Sequence, residues 1–250
     1  MSKRRAITPA KRPPPSVNRL LAALPPADYQ RIAPTFEHFP LKLKQFLHKP
    51  DERLQHVYFL GNGFCSIVTV LSDGSMVEVA TVGREGMVGV SVVLDGQPVP
   101  AAAMVQGATD VCYRMPAAAF RLEMDRRGPF YKLMTRYSQA YLGVVMQSTA
   151  CNAVHSIEQR LARWLLMAQD RMASDEFPLT QEFVAMMLGA SRSTVTVVAG
   201  TLQKAGLITY HRGLIQVLDR MKLESASCEC YRTSTDLLNA VTDGQTDRTR

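Results

Sequence analysis

The sequence predicts an α+β fold with an N-terminal β-roll of the jelly-roll type, a long helix and a C-terminal winged helix-turn-helix. Apolar residues alternate with period two between Leu41 and Met115, an apolar heptad pattern runs from Phe130 to Cys151, and two short helical segments joined by a glycine turn precede a hairpin pattern in residues 179–218. The predicted segments are a disordered basic tail (1–18), the β-roll (19–128), the long helix with the helix after it (129–175), the winged domain (176–222) and a C-terminal tail (223–250).

Composition places the chain among ordinary globular proteins, and its positive charge is concentrated at one end. Hydrophobic residues make up 46% and charged residues 20% of the 250 residues, and the net charge is +7. Residues 1–19 contain six Lys or Arg and no acidic residue, so the rest of the chain sums to only +1. Four prolines and little apolar content predict disorder in residues 1–18.

The sequence predicts a cytoplasmic protein that does not bind a membrane. No apolar run approaches the roughly 18 residues that a spanning helix needs. No apolar h-region follows the basic N-terminus, so a secretory signal is not predicted. The five cysteines are scattered without a CxxC pair, which predicts reduced thiols.

The predicted β-roll begins with two short helices. Asn18 is the predicted cap of a helix over residues 19–24, and a second helix is predicted over 27–35. The strand candidates are residues 41–44, 56–60, 65–71, 76–82, 103–106 and 110–115. Many short strands separated by turn residues favour a sandwich or a jelly-roll barrel.

A long helix is predicted after a short helix that starts at Pro116 and ends before Gly128. Its apolar positions are spaced 4, 3, 4, 3, 4 and 3 residues apart and comprise Phe130, Met134, Tyr137, Tyr141, Val144, Ser148 and Cys151. This is the a/d spacing of a two-stranded coiled coil, and over residues 130–151 it would extend roughly 32 Å. We predict that these seven residues form a dimer interface. The alternative is that the stripe packs against the chain's own barrel.

The helix predicted over residues 155–172 is amphipathic. Its predicted inner face comprises Ile157, Leu161, Trp164, Leu165 and Ala168, and its opposite face comprises Arg160, Arg163 and Asp170. Residues 223–250 are predicted to fray, with docking of Leu237 and Leu238 as the alternative.

Residues 179–218 carry the pattern of a winged helix-turn-helix. Thr180 caps a first predicted helix that ends at Leu188, and Ser191 caps a second one after a tight turn at Gly189. The second helix has its apolar positions at i, i+3, i+4 and i+7, namely Val195, Val198, Ala199 and Leu202. Two strand patterns, 207–211 and 214–218, follow with a turn between them and predict the wing.

A helix-turn-helix places its second helix in the major groove of double-stranded DNA. The candidate DNA contacts are Thr180, Ser191, Arg192, Ser193, Thr194, Thr196, Val197, Lys204, His211 and Arg212. Residues 176–222 have a net charge of only +2, so this prediction rests on pattern more than on charge. The alternative is a small helical domain with a hairpin that binds no nucleic acid.

The order of these parts resembles the Crp/Fnr family of bacterial transcription regulators over residues 19–225. The most specific matches are LTQEFVAMMLGASRSTV at 179–195 and GLI at 206–208, with support from VYF at 57–59, VEVA at 77–80 and GREGMVG at 83–89. The resemblance implies a cyclic-nucleotide-binding-like β-roll that acts as a sensor, and a homodimer whose recognition helices enter successive major grooves roughly 34 Å apart. It also implies promoter DNA, RNA polymerase and a small-molecule effector of unknown identity as partners of a regulator that is not an enzyme.

The recognition helix departs from the family pattern at two positions. Members often carry Ser-Arg-Glu-Thr-Val and an Arg two positions later, whereas here Ser193 replaces the Glu and Val197 replaces the later Arg. Arg192 matches, and a bidentate contact from it to guanine is worth about 1–3 kcal/mol. Val197 can contact a thymine methyl group. We therefore predict an operator that differs from the family's best-known palindrome.

The sensor departs further, because cyclic-nucleotide binders of the family hold the ribose with a Glu and the phosphate with an Arg. Gly89 is followed here by Val-Ser-Val, and no Lys or Arg lies between Gly86 and Arg114. A buried phosphate without a basic partner is costly, so neither cAMP nor cGMP is expected. The candidate effector pocket comprises Glu78, Gly89 and Ser91.

No cofactor is predicted. Residues 1–40 lack the cysteine cluster of iron–sulfur relatives, and the spacing of the later cysteines does not suit such a cluster. Haem needs an axial ligand, for which His38, His48 and His56 qualify only by residue type. Cys228 and Cys230 offer two metal ligands, but without a matching His/Cys pair nearby they predict no metal site.

Three alternatives to an effector-controlled regulator stay open. The first is a ligand-independent DNA-binding dimer whose β-roll is structural. The second is a redox-responsive regulator with an inter-chain disulfide at Cys151. The competing interpretation of Cys151 is a small buried residue of the predicted dimer seam, which comprises the seven heptad residues of the long helix. The third is a cupin-like enzyme, which the absence of an HxH spacing in residues 41–115 disfavours.

Overall fold

The computed structural model of the chain describes residues 14, 17–172 and 174–243, so the predicted disorder of residues 1–18 lies largely outside the described residues, as do residues 244–250. The helices are α1 Arg19–Ala22, α2 Pro26–Ile32, α3 Ser91–Leu94, α4 Ala117–Asp125, α5 Pro129–Val154, α6 Ile157–Met172, α7 Gln181–Leu188, α8 Arg192–Lys204, α9 Arg220–Ala226 and α10 Cys230–Thr242. The strands are β1 Glu37–His38, β2 Phe46–His48, β3 His56–Leu60, β4 Cys65–Val70, β5 Met76–Val82, β6 Met87–Val88, β7 Ala101–Val105, β8 Cys112–Pro116, β9 Glu176–Pro178, β10 Ile208–His211 and β11 Leu214–Val217. The predicted α+β fold with its β-roll, long helix and winged helix-turn-helix is confirmed.

Two four-stranded antiparallel sheets form the β-roll, with strand orders β1–β8–β3–β6 and β2–β7–β4–β5. Strands β3 and β5 have the predicted bounds. Residues 41–44 are not a strand, because Leu41 makes only an isolated bridge to Thr109 and Lys44 has a φ of 64°, which ends an extended run. The sequence missed β1, β2 and β6, since strands of two or three residues are too short to show an alternation.

Asn18 fixes the start of the β-roll and caps α1, as predicted. Its side-chain oxygen accepts hydrogen bonds from the backbone N–H groups of Leu20 at 3.0 Å and Leu21 at 3.3 Å. Its amide nitrogen donates to the carbonyl oxygens of Leu60 at 3.0 Å and Gly86 at 2.9 Å. This buried amide uses its full donor and acceptor capacity, so it joins α1 to β3 and to the loop before β6. The predicted second helix is α2 with a 3-10 turn at Ala33–Thr35.

The predicted dimer seam on α5 is packed inside the chain. Phe130, Met134, Tyr137, Val144, Ser148 and Cys151 are buried, and Tyr141 is half-buried. The ring of Phe130 lies 5.1 Å from that of Phe120, and Tyr137 Oη donates to the carbonyl oxygen of Met87 at 3.1 Å. Because the chain's own residues cover these side chains, the prediction that they form a dimer interface is wrong. Heptad spacing identifies a buried stripe but does not say which partner buries it.

The predicted C-terminal tail contains two helices that pack on the rest of the chain. Helix α10 lies against α5, with Leu238 buried and Leu237 beside Gly143. Arg19 Nη1 of α1 donates to Asn239 Oδ1 of α10 at 2.8 Å. The prediction of fraying is therefore wrong for residues 223–242, and the alternative of docking at Leu237 and Leu238 is confirmed.

Helix α6 is buried almost all round. Every residue from Leu161 to Ala168 is buried, because α6 contacts α7, α8, α9, α10 and β9. Arg160 and Arg163, predicted to face outward, are buried, whereas Asp170 is exposed as predicted. The prediction from the amphipathic pattern assumed that the polar side of α6 faces water, whereas a second layer of helices covers that side.

The C-terminal domain combines α7, α8 and a three-stranded sheet of order β10–β11–β9. Its apolar side chains form one core with α6. Within the described residues no single helix is long and apolar enough to cross a membrane, and α7 with α8 would qualify only as a pair that bends by 105° at the intervening turn.

Candidate nucleic-acid interface and effector cavity

The turn between α7 and α8 is built by two capping residues and one glycine. Thr180 Oγ1 accepts a hydrogen bond from the backbone N–H of Phe183 at 3.2 Å, which starts α7 as predicted. Gly189 ends α7 with a φ of 57°, a left-handed conformation that favours glycine. Ser191 Oγ accepts from the backbone N–H of Thr194 at 3.1 Å and starts α8. The two helices consequently cross at 105°.

One face of α8 holds the domain together and the other is free. Val195, Ala199 and Leu202 are buried against the domain core. The opposite face presents exposed Arg192 and Val197, the latter with 70% of its surface accessible. Within the described residues the Arg192 side chain makes no ion pair, so its guanidinium is available to an external anion or base edge.

The wing contains three strands, of which the sequence predicted two. Strands β10 and β11 pair through a turn in which Arg212 has a φ of 49° and Gly213 a φ of 80°, the conformation of a two-residue hairpin turn. Strand β9 pairs with β11 and places Phe177 opposite Ile215. The sequence missed β9, because three residues ending in a proline show no alternation. The turn leaves Arg212 exposed at the tip of the wing.

All ten predicted DNA contacts are exposed, and they lie on α8, on the caps of both helices and on the wing. Thr196 Oγ1 donates to Gln181 Oε1 at 2.8 Å, so this residue ties α8 to the start of α7. Ser191 Oγ lies 2.8 Å from Ser193 Oγ, which keeps the hydroxyl groups of the first turn of α8 together. This face therefore offers hydroxyl groups, Arg192 and one apolar side chain.

A cavity of about 240 Å³ lies inside the β-roll. Most of its lining residues are apolar, and they are His48, Leu54, Ile67, Val79, Val82, Met87, Gly89, Val90, Ser91, Leu94, Val99, Ala101 and Tyr141. The predicted pocket residues Gly89 and Ser91 line this cavity, whereas Glu78 does not. Burial lowers the pKa of His48, and no arginine or lysine is among the described residues that line the cavity. Its surface is therefore suited to an uncharged, mainly apolar molecule.

Glu78 lies on the opposite face of β5, and its prediction as an effector residue is wrong. Its carboxyl group is buried, accepts a hydrogen bond from Ser66 Oγ, and accepts another from Trp164 Nε1 of α6 at 3.2 Å. Burial raises the pKa of Glu78 to about 7, although the hydrogen bonds from Ser66 and Trp164 and the charge of Arg163 act in the opposite direction. Strand alternation places neighbouring residues on opposite faces, but it does not identify the face that carries a ligand.

Strand β5 lies between the cavity and the C-terminal helices. Val79 and Val82 line the cavity, while Glu78 binds Trp164, whose ring lies 6.3 Å from that of Phe183 on α7. Val77 lies beside Gly189, at the turn between α7 and α8. One strand thus contacts both the cavity and the two elements that position α8.

A buried ion pair also joins the β-roll to α6. Arg171 Nη2 lies 2.7 Å from Glu85 Oε1, and Glu85 also accepts from the backbone N–H of Gly83 at 3.0 Å. A larger cavity of about 430 Å³ lies beside this pair. Of its four arginines, Arg171 is paired with Glu85 and Arg220 with Asp170, whereas Arg19 and Arg84 form no ion pair within the described residues.

Four residues that the sequence left unconnected meet at the end of α5. Cys151 Sγ lies 3.5 Å from Cys228 Sγ, and Cys230 Sγ lies 3.5 Å from His155 Nδ1. The prediction that no matching His/Cys pair lies near Cys228 and Cys230 is therefore wrong, because Cys151 and His155 lie beside them in the folded chain. No local pattern indicates this meeting, because 77 residues separate Cys151 from Cys228. Since Cys151 is buried beside Cys228 of its own chain, it does not face a second copy as the seam prediction required.

Two family models match the chain. The model of the Crp-like helix-turn-helix domain matches residues 159–226, which contain most of α6 and continue to α9. The model of the cyclic nucleotide-binding domain matches residues 39–127, which contain the β-roll from β2 to α4. Together they cover more than half of the 250 residues. No curated protein matches the chain.

Several solved structures share the fold. A protein from Eubacterium rectale assigned to the Crp/Fnr family of transcriptional regulators is 19% identical, with a TM-score of 0.67 and coverage of 84% of this chain and 98% of its own. A Crp-family transcriptional regulator from Thermus thermophilus is 21% identical, with a TM-score of 0.62 and coverage of 76% and 96%. A c-di-GMP-responsive global regulator from Xanthomonas campestris is 12% identical, with a TM-score of 0.60 and coverage of 77% and 99%. At these identities the likeness concerns the fold.

Proposed function

Because the chain belongs to the Crp/Fnr family of transcription regulators, we propose that it acts as a cytoplasmic homodimer that binds promoter DNA and answers to a small effector held in its β-roll. The observation that supports this most directly is the exposed face of α8, with Arg192 unpaired among the described residues and Arg212 at the tip of the adjacent wing. The proposed partners are double-stranded DNA, a second copy of the chain and RNA polymerase, and the proposed role is regulation, without catalysis.

The sequence of the operator is proposed to follow from three side chains of α8. Arg192 contacts guanine in the major groove, and Val197 contacts a thymine methyl group. Ser193 does not make the contact to cytosine that a glutamate at this position would make. Arg212 and Lys204 contact phosphates, which positions the domain but adds no base specificity. The operator then consists of two half-sites roughly 34 Å apart.

A protein-binding DNA array followed by titration on the preferred site tests this proposal. Arg192→Ala is expected to cost about 1–3 kcal/mol for each half-site and to relax the preference for guanine at one position. Arg53→Ala, which removes an exposed arginine of the β-roll, is the matched control and is expected to bind like the unmodified protein. Unchanged affinity and unchanged base preference after Arg192→Ala would contradict the proposed contact.

The dimer is proposed to form through the exposed stripe of α5, in place of the buried seam. This stripe comprises Thr135, Gln139, Leu142, Met146, Thr149 and Ala153, which are spaced 4, 3, 4, 3 and 4 residues apart. Leu142 and Met146 have 53% and 62% of their surfaces accessible, so two large apolar side chains lie next to each other on the exposed side of this helix. A second copy that packs its own stripe in parallel would bury them by coiled-coil packing.

Light scattering on the Leu142→Glu and Met146→Glu double variant tests this interface. We expect the mass to fall from that of a dimer to that of a monomer, because charged residues would then face each other across the two-fold axis. Leu122→Glu places the same charge on an exposed leucine of α4 and is expected to leave the dimer intact. A dimer that persists in the double variant would rule out this stripe.

The effector is proposed to be a small uncharged molecule, and the two faces of β5 carry its effect to α8. The cavity lacks the arginine that a cyclic nucleotide phosphate needs, so cAMP and cGMP do not fit it, and the same argument applies to the c-di-GMP of the Xanthomonas campestris regulator. We propose no haem either. A ligand against Val79 and Val82 can act only by favouring one of two positions of β5 and the helices beside it.

Native mass spectrometry of freshly purified protein, followed by thermal unfolding with the identified compound, tests the effector proposal. Binding only to the folded state raises the unfolding temperature, and Ala101→Leu is expected to abolish this rise by filling the cavity. Operator affinity that is the same with and without any bound compound would favour the ligand-independent regulator instead.

A further inference from the structure

The cysteine–histidine cluster at the end of α5 has the composition of a metal site. Cys151 lies on the last turns of α5, His155 is the residue that caps this helix, and Cys228 and Cys230 flank the start of α10. The three sulfur atoms and one ring nitrogen of these residues all lie within 4.8 Å of one another. The three cysteines are buried together in a small core of their own.

Two of the six distances between the ligand atoms are close to those around one tetrahedral ion. Zinc binds sulfur at about 2.3 Å and imidazole nitrogen at about 2.0–2.1 Å, so neighbouring ligand atoms of a tetrahedral site lie roughly 3.5–3.8 Å apart. The Cys151–Cys228 sulfur atoms and the Cys230 sulfur–His155 Nδ1 pair are each 3.5 Å apart. The other separations within the group are at most 4.8 Å, so the four ligand atoms are close enough to share a single ion.

The surroundings orient the same four groups. His155 Nε2 lies 3.3 Å from Glu229 Oε2, which favours the tautomer with its proton on Nε2 and its lone pair on Nδ1, toward the sulfur atoms. Gln147 Nε2 donates to Cys230 Sγ at 3.1 Å, a contact that stabilises a thiolate. A histidine held by a carboxylate through its other nitrogen is a common arrangement around bound zinc.

Two buried arginines whose charges act on the Cys151 thiol provide an independent argument for an anionic group at this place. Arg160 and Arg163 are buried, and their Nε atoms have no hydrogen-bond partner within the described residues. No carboxylate of the described residues forms an ion pair with either guanidinium, although the charge of Arg163 also acts on the Glu78 carboxyl and Arg160 Nη2 donates to the carbonyl oxygen of Leu188. Buried charges are normally compensated. One Zn²⁺ with three thiolates and a neutral imidazole carries a net charge of −1, which supplies part of that compensation.

We propose that Cys151, His155, Cys228 and Cys230 bind one Zn²⁺ ion per chain. Thiolates favour zinc over harder divalent ions such as Mg²⁺ and Ca²⁺, and four protein ligands with no open position characterise a structural site. The ion fastens α10 to the break between α5 and α6. It thereby fixes the orientation of α6, and of the helix-turn-helix that follows it, relative to α5.

Metal analysis of the full chain, purified without oxygen and with a thiol-free reductant, tests the proposal. We expect one zinc ion per chain, which mercurial reagents release. Replacement by Co²⁺ is expected to give thiolate-to-cobalt charge-transfer bands and the intense visible bands of tetrahedral Co²⁺, a readout that needs no variant. Unmodified, reduced protein that binds neither ion would overturn the proposal.

Variants then identify the ligands. Cys228→Ala and His155→Ala are expected to lose the cobalt charge-transfer intensity or the tetrahedral bands, and Glu229→Gln is expected to keep the site but weaken its affinity by about tenfold to a hundredfold. Cys65→Ala is the matched control, since Cys65 is a buried cysteine of the β-roll, and it is expected to retain one ion. Full metal content in both Cys228→Ala and His155→Ala would refute the assignment of these ligands.

Discussion

Replacing Glu78 with glutamine is expected to stabilise the protein at and above neutral pH. Glu78 is buried between β5 and α6, and burial raises the pKa of its carboxyl group to about 7 from the ordinary value of 4.5. Glutamine has the same shape, and its carbonyl oxygen can still accept the hydrogen bond from Trp164 Nε1. The substitution therefore removes the ionised form and keeps the contact.

The size and the sign of the effect follow from the two pKa values. The folded state holds the proton more tightly than the unfolded state, so the stability from this group is complete below pH 4.5 and is lost as the pH rises through 7. A difference of about 2.5 pKa units corresponds to roughly 3 kcal/mol, of which about 2 kcal/mol is lost between about pH 5.5 and pH 8.5. Glu78→Gln should therefore gain most over the unmodified protein at the higher pH.

Urea unfolding at both pH values measures this difference. Other titrating groups contribute equally to the two proteins, so they cancel when the free energy of unfolding of one is subtracted from that of the other. Glu182→Gln, a change at an exposed carboxyl of α7, is the control and is expected to produce no such difference. If the gain from Glu78→Gln were the same at both pH values, or a loss at the higher one, the argument from burial would be refuted.

Three further substitutions test contacts that position α8 and the β-roll. Ser191→Ala removes the cap that binds the N–H of Thr194 and is expected to cost about 1 kcal/mol in urea unfolding, with weaker operator binding in titrations. Gly189→Ala forces a side chain into the left-handed region and is expected to lower stability by about 1 kcal/mol without a steric clash, since the nearest side-chain atom lies 3.5 Å from the added carbon. Glu85→Gln leaves the buried Arg171 without its counterion and is expected to cost about 3 kcal/mol; a cost near zero in calorimetry would show that the pair is not structural.

The features that the sequence predicts well depend on neighbouring residues. The caps Thr180 and Ser191, the glycine turn between them and the hairpin turn at Arg212 all follow from interactions over three or four residues, and each lies where the sequence places it. The alternation of β5 is equally local, and its bounds are as predicted. Such features reflect backbone and side-chain preferences that hold in any fold.

The features that the sequence misses depend on distant partners. The seam residue Val144 shows that periodicity reveals burial, yet only the tertiary fold shows that the chain itself supplies the cover. The sequence pattern places Arg160 on a solvated face of α6, and only the tertiary structure shows that α9 and α10 pack against that helix. The contact of Cys151 with Cys228 has no local pattern at all. Sequence reasoning therefore identified the helices and caps that present the proposed DNA-binding surface, but it assigned the buried stripe of α5 to the wrong partner.

The bond between Arg19 and Asn239 joins parts of the chain that are 220 residues apart. During synthesis, α1, the β-roll and α5 are made before α10. The side of α5 that α10 covers therefore stays exposed until synthesis has passed residue 242. Contacts of such large sequence separation form slowly. The final assembly is consequently expected to be a late event, in which α10 closes a core that α1 helped to begin.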